Sequence, residues 1–256
     1  MSRSPMPFTL SKASPARVLS AALPEARWRP GLAAHPFHSE IFAPATEASG
    51  AGLALALARD ALAAARQGED ARHVLWVQDR KAMQLGGRPC VAGLPSDLRH
   101  RLIHVAASTP EDALFALEEG LKCRDLACVI GEIAGNPRAL TFTASRRLSL
   151  TAERHGLRLW LVRLDAEPDL SSARMRWRAR AAPSPAPRWH PSSPGPATWR
   201  AELFRARAHA PGAWMLSDDT GTLCIRRDHE ADCAAPDFVH LARPTFGRSL
   251  AARARA

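Results

Sequence analysis

The sequence predicts an α/β fold: a mainly parallel sheet with helices on both faces, followed by a small C-terminal α+β module. Three observations carry that expectation. Strand-like and helix-like segments alternate through the first two thirds of the chain, the rhythm of strand–helix–strand units. The strand-like segments are almost continuously apolar, as strands covered on both faces are. A proline-rich stretch from Ala181 to Ala197 then ends the alternation, because neither helix nor sheet runs through such a composition.

The elements follow in order. Residues 1–27 are a lead-in segment with a short helical pattern around Val18 to Leu23. Phe37 to Phe42 is a short strand. Gly50 to Ala65 is a helix rich in Ala and Leu, with Gly68 beyond it. Arg72 to Gln78 and Leu102 to Ala106 are strands. Thr109, Pro110, Glu111 and Asp112 supply an N-cap, an N1 proline and an acidic first turn for a helix reaching about Cys123. Leu126 to Ile130 is a buried strand, and Ala139 to His155 is a helix stopped by Gly156. Leu157 to Leu164 and Ala173 to Ala179 are strands. The main domain is thus 28–180 and the linker 181–197. A module over 198–247 is expected to start with a helix, Thr198 to Ala208. A hairpin follows it, Ala213 to Leu216 returning as Thr222 to Arg226 around Asp218, Asp219 and Gly221. Residues 248–256 are a basic tail.

Hydrophobic residues make up 46% of the 256, enough for a sizeable core. The longest apolar stretch, Leu53 to Ala65, is broken by Arg59 and Asp60. It is shorter than the roughly 20 residues a membrane span needs. No apolar targeting segment opens the chain, so a cytoplasmic protein with no membrane association is expected. Five cysteines (Cys90, Cys123, Cys128, Cys224, Cys233) without a C-x-x-C pair read as small reduced core residues rather than a disulfide or zinc framework. The formal net charge of +10 comes almost entirely from arginine, with lysine only at Lys12, Lys81 and Lys122. Such a balance favours polyanionic or acidic partners, although GC-rich coding also raises Arg and Ala.

The turn after the first strand is the natural phosphate site of such a sheet. Here it reads Ala45-Thr46-Glu47-Ala48-Ser49-Gly50-Ala51-Gly52. Against G-x-x-x-x-G-K-[ST], Ala45 replaces the first glycine and Gly50 matches the second. Ala51 stands at the lysine and Gly52 at the hydroxyl. The charge that meets the outer phosphates and a magnesium ligand are both missing, and Glu47 adds repulsion. Glu132, at the end of the strand over 126–130, stands where an acidic metal-holding residue would sit, and reads as structural or residual. No catalytic residue, cofactor or metal site is implied. Ser145 and Ser149 have no nucleophile elbow, base or oxyanion loop around them in the sequence.

Two arginine groups stand out. Arg146 and Arg147 lie on one helix, as a solvated face or as a DNA or partner contact. In Arg174 to Arg180, strand alternation places Arg174, Arg176, Arg178 and Arg180 opposite Met175, Trp177 and Ala179. That pattern suits an edge or last strand with one wet side, guarding against aggregation or facing DNA phosphates. Trp177, Trp189, Trp199 and Trp214, with Arg200 beside them, are either core or anchors for a partner.

Several segments together resemble the ImuA family of bacterial RecA-like proteins, sometimes described as SulA-like. They are Trp28 to Leu32, His38 to Ala43, Ala127 to Glu132, Ser145 to Leu148 with Ala152, Glu153 and Gly156, Ser171 to Arg178, Trp199 to Leu203, and Gly212 to Trp214. Their order and spacing over 28–226 carry the likeness. The resemblance implies a RecA-like domain and a role in SOS-induced, error-prone translesion synthesis. It implies work beside ImuB, a Y-family-like protein, and an error-prone replicative-type polymerase. RecA and single-stranded DNA are further candidate partners. The expectation is a non-catalytic accessory protein; the alternatives are an ATP-binding or ATP-hydrolysing protein with a degenerate site, a sequence-independent DNA binder, or a division inhibitor of SulA type.

Overall fold

The computed structural model describes residues 27–32, 35–64, 71–187, 193–219 and 221–226. The helical pattern at Val18 to Leu23, Gly68, Trp189, Cys233 and the tail 248–256 lie outside those residues. Among the described residues nine strands form one sheet in the order β3-β2-β4-β5-β1-β6-β7-β8-β9. They are β1 (His38–Ala43), β2 (His73–Gln78), β3 (Leu102–Ala106), β4 (Leu126–Ala134), β5 (Arg158–Leu164), β6 (Met175–Ala181), β7 (Thr198–Ala206), β8 (Gly212–Asp219) and β9 (Thr222–Arg226). Pairings from β3 through β6 are parallel, and those from β6 to β9 are antiparallel.

Four α-helices cover the parallel part: α1 (Ser49–Ala64), α2 (Arg80–Gly86), α3 (Pro110–Lys122) and α4 (Phe142–His155). Thr109 caps α3 by accepting from the Asp112 N–H, and Gly156 ends α4 in the left-handed region at φ 67°. Helix α2 is not announced by hydrophobic periodicity; it is short and starts at Asp79, whose carboxylate accepts from the Ala82 N–H.

Two apolar layers flank the sheet. One, beneath α1, gathers Ile41, Leu53, Leu57, Trp76, Ile130, Trp160 and Val162 with Trp28, Trp177, Trp199, Trp214 and Leu216. The other, beneath α3 and α4, gathers Val77, Leu117, Leu121, Val129, Ile133, Leu148 and Leu161. Helices therefore lie on both faces, as the sequence predicts.

The structure departs from the sequence expectation at several places. The helix expected over Thr198 to Ala208 is strand β7, in which Trp199, Ala201 and Leu203 point into the α1 layer while Arg200, Glu202 and Arg205 are exposed. Period-2 burial, supplied by pairing with β6 and β8, outweighs the helix propensity of Ala, Glu, Leu and Arg. The hairpin β8–β9 forms where expected, but with β7 it continues the main sheet. Strand β6 is no edge strand, since it pairs with β1 on one side and β7 on the other. Cys128 is buried, but Cys90, Cys123 and Cys224 are exposed rather than core residues. No described helix is long and apolar enough to cross a membrane.

Candidate functional site

The turn between β1 and α1 is occupied by the protein's own side chains. Asp165, held at φ 47° just after β5, accepts from the Ala45 N–H at 2.8 Å. Glu47 accepts from the Ala181 N–H at 2.6 Å and lies 3.8 Å from the Arg180 guanidinium, so its charge clamps the turn to the end of β6. Ser49 is buried, its hydroxyl directed at the Ala179 carbonyl. Gly50 permits close packing of helix on sheet: a Cβ there would lie 2.7 Å from that of Ala43 and 2.8 Å from Cγ1 of Val162. Ala51 is half-buried against the core. A Cβ on Gly52 would lie 3.0 Å from Nε1 of the Trp199 indole. The space a Ser or Thr side chain would take thus adjoins an indole delivered by β7.

Glu132 lies within β4, which runs on to Ala134, and is buried. Its Oε1 accepts from Nε1 of Trp76 at 2.6 Å. Burial raises its pKa above the ordinary carboxylate value, against the lowering effect of hydrogen bonds from Trp76 and Gln78.

The arginine row of β6 forms a row of ion pairs. Arg174 donates to Glu153 at 2.6 and 3.1 Å, and Arg178 meets Glu202 at 3.2 Å. Arg176 is buried, with its Nε 2.7 Å from Oε2 of Glu40 and its guanidinium over Phe42 and Phe204. Arg147 pairs with Glu118 of α3 at 2.6 Å. By contrast Arg146, Arg200 and Arg205 are exposed and have no acidic partner among the described residues. Trp199 and Trp214 are core residues, so the indoles expected as possible anchors face inward.

Beside α4 the fold assembles a polar cluster that no local motif announces. His38 Nδ1 and Ser149 Oγ are 2.7 Å apart, Ser149 and Ser172 hydroxyls 2.6 Å, and Ser145 and Ser171 hydroxyls 2.9 Å. Ser171 donates to Glu40 at 2.7 Å, which joins the chain to Arg176. Nothing local in the sequence places a base near Ser149; the structure brings His38 to it across 111 positions. Burial lowers the His38 pKa to about 4, and its Nε2 is buried without a hydrogen-bond partner. With no carboxylate orienting the far ring nitrogen, the pair differs from a nucleophile–base–orienter triad and serves to fix the 171–172 turn against α4. Above this cluster opens a cleft of about 660 Å³ between α4, residues 170–174 and the end of β7. Arg146 and Arg174, singled out in the sequence, meet there; Arg178 and Arg200 lie elsewhere on the sheet.

Over 126 residues the chain is 35% identical to Protein ImuA of Caulobacter vibrioides, found alike in two strains. The match takes in 45% of this chain and 50% of each relative, so the chain spans about half the length of the curated relatives it matches. The likeness supports membership of the ImuA family. No family model matches the chain. The likeness to ImuA thus extends over 126 residues, fewer than the span 28–226 along which the sequence motifs suggest it.

Proposed function

We propose that this chain is a non-catalytic, RecA-like accessory protein of SOS-induced error-prone translesion synthesis. It acts through contacts with an ImuB-type protein that works beside an error-prone replicative-type polymerase, with RecA and single-stranded DNA as further partners. The likeness to ImuA supports the mutagenesis context. The observation that carries the non-catalytic reading is the start of α1 at Ala51 and Gly52. It lacks the lysine and hydroxyl that nucleotide chemistry uses, and the Trp199 indole lies against Gly52. The exposed Arg146, Arg200 and Arg205 support a role in contact.

Calorimetric titration of the full chain with magnesium–ATP, with a hydrolysis assay on wild type and Glu132→Gln, tests the first half. No saturable binding and no turnover is expected; turnover abolished by Glu132→Gln would establish an enzyme. Co-purification with an ImuB-type protein tests the second half, and absence of a complex would remove the adaptor role.

A further inference from the structure

We propose that the cleft between α4, residues 170–174 and the end of β7 is a docking site for a short protein segment bearing acidic and large apolar side chains. This deepens the accessory reading by giving a partner a place to bind, and it rests on that reading. The cleft of about 660 Å³ suits a few side chains rather than a whole domain. Its apolar lining is unusual for a solvent-facing surface. Leu170 is 67% exposed, Leu150 54% and Phe142 41%, and all three border this one cleft. Exposed apolar side chains gathered around one cleft mark an interaction site more often than scattered ones do.

Charge complementarity fixes the second half of the occupant's chemistry. Arg146 and Arg205 line the cleft, exposed and without acidic partners among the described residues. The one carboxylate in the lining, Glu153, is already taken by Arg174. An incoming carboxylate would therefore meet arginines free to pair, in the forked geometry that favours Arg over Lys. The cleft floor is held in place beforehand: Ser149, Ser171 and Ser172 are tied to α4, His38 and Glu40. Such preorganisation lowers the ordering cost of binding. Nucleic acid fits less well, because base stacking needs aromatic faces and two of the three rim side chains are leucines.

Selection of a random peptide-display library on the full chain tests the assignment, followed by anisotropy titration of the enriched peptides against variants. Leu170→Asp and Arg146→Glu change exposed side chains, and circular dichroism confirms that each variant folds. Enriched peptides are expected to combine acidic residues with Leu or aromatic side chains and to lose at least tenfold in affinity with either variant. The proposal is overturned by no enrichment, by peptides without acidic residues, or by equal binding to wild type and Leu170→Asp. A dT oligonucleotide that binds wild type, loses affinity with Arg146→Glu and is indifferent to Leu170→Asp would overturn it in favour of a phosphate site. An ImuB-type protein retained equally by wild type and Leu170→Asp would remove the cleft while leaving the accessory role intact; its failure to bind wild type would remove the accessory role itself.

Discussion

Replacing Gly52 by Thr places a hydroxyl-bearing side chain where the G-x-x-x-x-G-K-[ST] pattern has one, and its cost measures how far Trp199 occupies that space. The new Cβ would sit 3.0 Å from Nε1, 3.1 Å from Cζ2 and 3.3 Å from Cε2 of the indole, before Oγ1 and Cγ2 are added. Trp199 is 6% exposed and packed in the α1 layer, so it cannot simply swing into solvent. Overpacking of this kind costs about 1–3 kcal/mol. Thr recovers only about 0.3 kcal/mol over Gly in helix propensity. A net loss of about 1–2.5 kcal/mol is expected from these two terms. Urea denaturation of four proteins measures it: wild type, Gly52→Thr, Trp199→Leu and the double variant. Trp199→Leu alone should cost less than the roughly 3–5 kcal/mol of a Trp→Ala truncation. In that background the added atoms find room, so Gly52→Thr should become cheaper by about 1 kcal/mol or more, a coupling well above the additive limit. Equal costs in both backgrounds would refute the steric account of the altered loop.

Three further outcomes follow from the buried polar groups. Glu40→Leu leaves the buried Arg176 guanidinium beside Phe42 with only the half-exposed Asp169 at 3.9 Å and should cost about 3–5 kcal/mol, with much of it restored by adding Arg176→Met; thermal unfolding showing a loss below about 1 kcal/mol would contradict the pairing. His38 has a folded pKa of about 4 against 6.5 unfolded, so between those values the unfolded state binds more protons. Its contribution is full above pH 6.5, and about 2–3 kcal/mol is lost by pH 4.5; His38→Gln should flatten that part of a stability–pH curve. Burial raises the Glu132 pKa, so stability falls as pH rises from the unfolded value of 4.5 to the raised folded value, where the folded state holds the extra proton. Glu132→Gln keeps an oxygen for the Trp76 N–H, and denaturation should find it gaining on wild type as pH rises from the unfolded value of 4.5 to the raised folded value, with a constant difference below 4.5.

The sequence by itself determined the parallel half of the fold. Apolar runs such as Leu126 to Ile130 and capped helices such as the one begun by Thr109 and Pro110 carry their own local signals, and each forms where expected. The departure of Ala51 and Gly52 from the G-x-x-x-x-G-K-[ST] pattern was legible too, since the residues of the loop are read directly. What fills the loop was not: Trp199 arrives on β7, a strand whose local propensity suggests a helix and which exists because β6 and β8 pair with it. The pairing of the arginine row was likewise hidden. Alternation placed Arg174 to Arg180 on one face, but Glu153, Glu40, Glu202 and Glu47 come from other elements. The same is true of the cleft, whose arginines and leucines lie on α4, the 170–174 turn and the end of β7. Local structure is set by interactions within a few residues and is written in the sequence. Partnership between charges, hydroxyls and rings far apart along the chain is decided only when the sheet brings their elements together.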